Sequence, residues 1–146
     1  MQKFNFILIG AILIFATGCS VYKPFSEAPV KQIPDGTKSI IVDAPIQKTK
    51  SAFVDEGVIV EQNSPSQFET KPKDYDWSGS VYCQGFDEDE KTKVVIYVRP
   101  DGMMEGVDDA RITYEGEQQW KNRVKPAFNW VANIMEKNNL NYKFSN

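Results

Sequence analysis

Hydrophobic and polar positions divide the chain into three stretches. Residues 6–15, Phe6-Ile7-Leu8-Ile9-Gly10-Ala11-Ile12-Leu13-Ile14-Phe15, form an unbroken apolar run. Residues 20–37 are polar and carry Pro24, Pro29 and Pro34. Proline-bearing polar sequence favours an extended chain, so residues 19–37 are expected to be a tether. From Lys38 onward short patterned segments follow one another, predicting a single domain over residues 38–146.

Within that domain Ser39-Ile40-Ile41-Val42 is a β-branched run and predicts the first strand. Asp43-Ala44-Pro45 is a helix entry, because proline suits a first turn whose N–H groups are unbonded. Ile46, Thr49, Ala52 and Phe53 share one face of the short helix that follows, and Gly57 is placed to cap it. Val58-Ile59-Val60 predicts a second strand. Asn63-Ser64-Pro65-Ser66 predicts a turn, and residues 67–70 a third strand. Residues 71–80 read as a polar loop carrying Tyr75 and Trp77.

The clearest local pattern is a hairpin. Residues 81–86 and 93–98 flank the acidic segment Asp87-Glu88-Asp89-Glu90. Pairing Phe86 with Lys93 puts Val81, Cys83, Gly85, Val94, Ile96 and Val98 on one face, since strand side chains alternate. Tyr82, Gln84, Phe86, Val95 and Tyr97 then share the other, with Tyr82 opposite Tyr97. The aliphatic face is expected to be core.

Pro100-Asp101-Gly102 predicts a turn, and residues 103–114 one or two further strands. Trp120, Val124, Ala127, Phe128, Val131, Ile134 and Met135 recur at helical spacing and make one broad apolar stripe. Pro126 is expected to kink or divide that helix, and Asn138-Asn139 to end it. The fold class is therefore α+β: an antiparallel sheet of about five to six strands, covered on one face by a long C-terminal amphipathic helix, with a short helix after the first strand.

Candidate chemistry begins at the N-terminus. Lys3 supplies a positive start, and the apolar run is shorter than the roughly 20 residues a spanning helix needs. With small residues after it, this is the order of a secretory signal over residues 1–18. Ala16-Thr17-Gly18-Cys19 resembles the bacterial lipobox. That resemblance implies cleavage before Cys19 and a diacylglyceryl thioether on its sulfur, usually with an acylated amine. The membrane would be the partner reached through Cys19. Ser20, in place of aspartate, fits outer-membrane sorting in a Gram-negative source; otherwise the outer face of the cytoplasmic membrane is expected. The element order, with Gly57-Val58-Ile59-Val60 through Phe68-Glu69-Thr70-Lys71-Pro72, resembles the helix-grip, TATA-binding-protein-like domains of small envelope lipoproteins. No catalytic motif comes with that resemblance.

Composition narrows the function classes. Cleavage after residue 18 of 146 leaves 128 residues, with 16 basic against 20 acidic groups once Lys3 is gone. A net negative chain is not expected to bind nucleic acid, which requires clustered Lys and Arg. The sequence has no histidine, so the usual base near neutral pH and most zinc sites are lacking. No cofactor and no metal are expected. Cys83 has no partner once Cys19 is lipidated, and burial is favoured for it.

Asp87-Glu88-Asp89-Glu90 does not follow the EF-hand spacing, because Lys91 falls on a ligand position and Thr92 on the glycine position. A solvated hairpin tip is the better reading. Asp108-Asp109, with Glu105, offers carboxylates for glycan hydrolysis, but adjacent strand residues face opposite ways. Lys121, Arg123 and Lys125 form a small basic cluster. The aromatic set Trp77, Tyr82, Phe86, Tyr97 and Trp130 is the candidate partner-binding site, because Trp and Tyr are enriched at interface hot spots. The functional expectation is a non-enzymatic, lipid-anchored envelope module that binds a protein or supports an assembly. The alternatives are a carrier of a small apolar ligand, held between sheet and helix in a cavity lined by residues such as Phe128 and Ile96, and a carboxylate glycan hydrolase.

Overall fold

The structure is a computed structural model and describes residues 29–76, 79–100 and 125–146. The elements, in order, are β1 (Ser39–Val42), α1 (Ile46–Asp55), β2 (Val60–Ser64), β3 (Gln67–Thr70), β4 (Lys73–Asp76), β5 (Gly79–Glu88), β6 (Lys91–Pro100), α2 (Lys125–Lys137) and β7 (Tyr142–Ser145). Among the described residues the seven strands form one antiparallel sheet, ordered β2-β3-β5-β6-β1-β7, with β4 also on β5. The fold is α+β, as the patterning predicts.

Local chemistry explains why α1 starts and stops where it does. Pro45 occupies the N-cap, one residue before the first turn, and its carbonyl accepts the N–H groups of Lys48 and Thr49. Ile46, Thr49, Ala52 and Phe53 are its buried residues, the same four that the spacing puts on one face. Gly57 ends it with φ +77°, and Val58 N–H donates to the Phe53 carbonyl at 3.0 Å. This left-handed exit needs no Cβ. The one polar member of the buried face is satisfied. The Thr49 hydroxyl donates to that of Thr92 at 3.0 Å, and Thr92 donates to the Ala44 carbonyl at 2.9 Å.

The β5–β6 hairpin has the expected register, with Phe86 opposite Lys93 and Tyr82 opposite Tyr97. Its strands run further than expected, to Glu88 and Lys91, so only Asp89 and Glu90 form the turn. Both have positive φ, +48° and +67°, as a two-residue turn matched to strand twist requires. Val81, Cys83, Val94 and Ile96 lie in the core cluster with side chains from α1 and α2. Gly85 sits there because Phe68 does. The two are paired, and a Cβ on Gly85 would lie 2.1 Å from the Phe68 ring.

Three sequence expectations change. β2 starts at Val60 and runs through Asn63 and Ser64, so the apolar trio 58–60 only leads into it; Ile59 is 62% exposed. The polar loop 71–80 instead contains β4, which continues the edge begun by β3 along β5. Pro72 sits in the gap, where its missing N–H breaks the ladder. The Thr70 hydroxyl accepts the Cys83 N–H there at 2.8 Å. β7 was not anticipated: it pairs with β1 and makes β1 an interior strand. The residues just before Lys125 lie outside the described residues, and with them the expectation that Pro126 kinks or divides the helix. Asn139, at φ +55°, ends α2 as expected, and Leu140 N–H donates to the Met135 carbonyl at 2.9 Å. Trp120, Val124 and residues 103–114 lie outside the described residues.

Part of the expected tether belongs to the domain, while residues 19–28 lie outside the described residues. Residues 29–37 pack on the domain, with Ile33 in the core cluster and Thr37 buried. Two asparagines of α2 hold the extended stretch through its backbone. Lys31 N–H donates to Asn129 Oδ1 at 2.6 Å, and Asn133 Nδ2 donates to the Pro29 carbonyl at 2.9 Å.

Candidate functional site

The face of the sheet opposite the core cluster is the candidate site, and the register fixes its members. The row through Phe86 contains Gln67, Phe86, Lys93, Ile41 and Lys143 across β3, β5, β6, β1 and β7. The next row toward the chain ends of the hairpin contains Glu69, Gln84 and Val95, followed by Tyr82 and Tyr97. At the hairpin tip Glu88 faces Lys91.

The two ends of this face differ in exposure. Tyr82 is 7% exposed and Val95 2%. The Tyr82 and Tyr97 rings stack, with centroids 4.9 Å apart and planes 11° from parallel. Such a pair contributes roughly 0.5–1.5 kcal/mol beyond the area it buries. Toward the tip Phe86, Lys93 and Ile41 are half-buried, while Lys91, Lys143, Glu88 and Asp43 are exposed. The charges there pair in part: Lys91 lies 3.4 Å from Asp43, and Lys93 3.6 Å from Glu88. An open cleft of about 220 Å³ lies beside them, lined by Ile41, Asp43, Lys91, Asn141, Tyr142 and Lys143. Aromatic and aliphatic atoms ringed by paired charges make a surface suited to contact with another protein.

No known family, curated protein or solved structure matches this chain. The site is therefore read from its own residues.

Of the five aromatic residues expected to bind a partner, three share this face. Phe86 and Tyr97 are half-buried, and Tyr82 is nearly closed off. Trp130 is not with them. It belongs to the core cluster on the other side of the sheet, 8% exposed, with its ring 6.3 Å from that of Phe53 and the Lys73 amine 5.4 Å away. The physical reason is that α2 is buried all round from Ala127 to Met135, so a residue off the centre of its stripe is buried too. Trp77 lies outside the described residues. So do Glu105, Asp108, Asp109, Lys121, Arg123 and the whole N-terminal segment with Cys19.

The other candidate chemistry takes these places. Asp87–Glu90 is the hairpin tip, and among the described residues no group of three or more His, Cys, Asp or Glu is placed to hold a metal ion. Phe128 and Ile96, named as walls of a ligand cavity, are 0% and 1% exposed within the packed core cluster. Cys83 is buried, as expected, and burial pushes its thiol well above the ordinary range despite the contact with Thr70. No helix among the described residues is long and apolar enough to cross a membrane.

Sequence reasoning placed Lys93 opposite Phe86 but missed Ile41 and Lys143, which extend the same row. The alternation in β1 already turns Ile41 away from Ile40 and Val42. For Lys143, the signal was Leu140, Tyr142 and Phe144 recurring at every second position, a strand pattern after the final helix.

Proposed function

We propose that this protein is a lipid-anchored cell-envelope protein with a binding or support role and no enzymatic one. The observation that carries the reading is the N-terminal order of Lys3, a ten-residue apolar run and Ala16-Thr17-Gly18-Cys19. A lipidated Cys19 would hold the domain at a membrane surface, because each buried methylene adds about 0.8 kcal/mol and two or more chains make release negligible. In a Gram-negative source that surface is the outer membrane. The protein partner would meet the outer sheet face through its half-buried rings, Phe86 near the tip and Tyr97 further along, with Ile41 and the surrounding lysines at the rim.

Two measurements test this. Mass spectrometry of the protein from native envelopes is expected to find an acylated Cys19 at the mature N-terminus, and Cys19→Ser to move the protein out of the membrane fraction. An unmodified Cys19 with residues 1–18 retained overturns the anchor. Photo-cross-linking from position 86 in living cells is expected to give a discrete adduct. Tyr97→Ser is expected to weaken that adduct about tenfold, the loss of one interface hot spot. An adduct unchanged by Tyr97→Ser overturns the assignment of the face.

A further inference from the structure

The segment just before the domain is held in an unusual way. Residues 29–33 run extended across α2, and their backbone is read by two asparagines one helical turn apart. Asn129 accepts the Lys31 N–H, and Asn133 donates to the Pro29 carbonyl. Asn133 Nδ2 also donates to the Asn129 carbonyl at 2.7 Å, which fixes the side chain for this grip. The Lys31 amine pairs with Glu136 on the next turn, and Glu136 in turn accepts the Tyr142 hydroxyl at 2.8 Å. Ile33 inserts into the core beyond them. Val30, between the gripped residues, is 83% exposed. A turn at residues 34–37 follows, with Gly36 at φ +77° and the Thr37 hydroxyl donating to the Pro34 carbonyl at 2.7 Å. Only then does Lys38 N–H join the sheet at the Ser145 carbonyl.

Among the described residues this is a small set of contacts to order five residues: two backbone-directed hydrogen bonds, one partly exposed ion pair and one buried side chain. Segments held so sparingly open more readily than the core they lie on. The sheet does not depend on the segment, because the domain's strand ladder starts after the turn.

We propose that residues 29–33 are a releasable strap, and that its seating on α2 sets how far the domain can stand from the membrane that holds Cys19. Seated, residues 29–33 belong to the domain and add nothing to its distance from Cys19. Released, these five residues join the chain between Cys19 and the domain and add at most about 17 Å when fully extended. The strap thus has two reaches, one that holds the domain near the bilayer and one that lets it meet a more distant partner. The reach rests on the lipid-anchor reading above, while the seating does not.

The two are tested separately. For the seating, spin labels at Val30→Cys and Lys48→Cys are placed in the full chain carrying Cys19→Ser; the native thiol Cys83 is buried and stays unlabelled. The parent is expected to show one narrow distance. Lys31→Pro removes the donated N–H and the amine without touching α2, and is expected to broaden and lengthen that distance. Asn129→Ala is expected to do the same from the helix side. A broad distribution in the parent, or a narrow one that survives both variants, overturns the strap. For the reach, the lipidated full chain is placed on a supported bilayer and its height read by neutron reflectometry. Lys31→Pro is expected to raise the mean height of the domain, by at most about 17 Å. Equal heights in a bilayer-bound chain overturn the reach alone. A chain that does not stay on the bilayer overturns the anchor and the reach together, and leaves the spin-label result standing.

Discussion

The two faces of the β5–β6 hairpin are made by alternate residues of the same two strands, and they meet different fates. On one, Val81, Cys83, Val94 and Ile96 are all at 0–1% exposure in the core cluster. On the other, exposure is graded. Val95 and Tyr82 are nearly closed, Phe86 and Tyr97 half-buried, Glu88 and Lys91 open. A row of small aliphatic side chains has only one favourable place, out of water. A row of aromatic and amphipathic side chains is stable in water or out of it, so its burial depends on what the rest of the chain places over it.

The sharpest way to break the comparison is on the core face. Gly85 faces Phe68, and an added Cβ would overlap three atoms of that ring, at 2.1, 2.4 and 2.7 Å. Phe68 is 0% exposed and its ring lies 5.7 Å from that of Phe53, so it has no free space to swing into. Gly85→Ala is therefore expected to destabilise the domain by about 3 kcal/mol, at the upper end for overpacking, measured by urea denaturation. A loss under about 0.5 kcal/mol would mean that the Phe68 pocket yields, and that the core face is looser than its burial implies.

On the outer face the expected costs follow exposure rather than residue type. Tyr82→Ser removes a ring that is 7% exposed and stacked on Tyr97, and is expected to cost about 2 kcal/mol, the scale of burying one large side chain. Phe86→Ser, four residues along the same strand face, removes a half-buried ring and is expected to cost under about 1 kcal/mol. Equal losses at the two positions would erase the gradient along this face. The same gradient decides which residues suit a partner assay: a change at Phe86 tests contact, whereas a change at Tyr82 tests folding.

Much of this was readable before the structure. The buried face of α1, the Gly57 exit, the register of β5 against β6 and the end of α2 at Asn139 all follow from periodicity and backbone preference, which act over a few residues. Three features were not readable because their cause lies far along the chain. Trp130 is buried because α2 is enclosed on every side, which no single stripe reveals. β7 needs β1 as its neighbour, about a hundred residues away in the sequence. The strap needs Asn129 and Asn133, which in a helical wheel read only as polar breaks in an apolar stripe. For the candidate site, alternation sorted Tyr82, Phe86 and Tyr97 onto one face but did not reveal how far each is exposed.

The smallest expected effect lies at the rim of the core face, where Tyr142 of β7 reaches Glu136 beneath the strap. Burial first, then the carboxylate that accepts its hydroxyl, push Tyr142 up to about 12. Unfolded, the phenol ionises near pH 10. The neutral hydroxyl therefore contributes its full stability below about pH 10, and that contribution is lost as pH rises through about 12. Glu136 runs in the opposite sense. Lys31 first, then the Tyr142 hydroxyl, hold its carboxyl below the ordinary glutamate range. Its contribution is present above that range and disappears as pH falls through its lowered folded value. Tyr142→Phe keeps the ring and deletes the hydroxyl. Its denaturation midpoint is expected to fall less than the parent's on going from pH 9 to pH 12. A carboxyl titration followed by NMR is expected to show Glu136 shifted up toward the ordinary range in the same variant, and further up in Lys31→Ala. Both groups are mostly solvent-facing, so screening keeps these changes small. A Glu136 titration that ignores Lys31→Ala would mean that the amine is not seated there in solution, and the outer edge of the core face would end at Leu140 rather than at the strap.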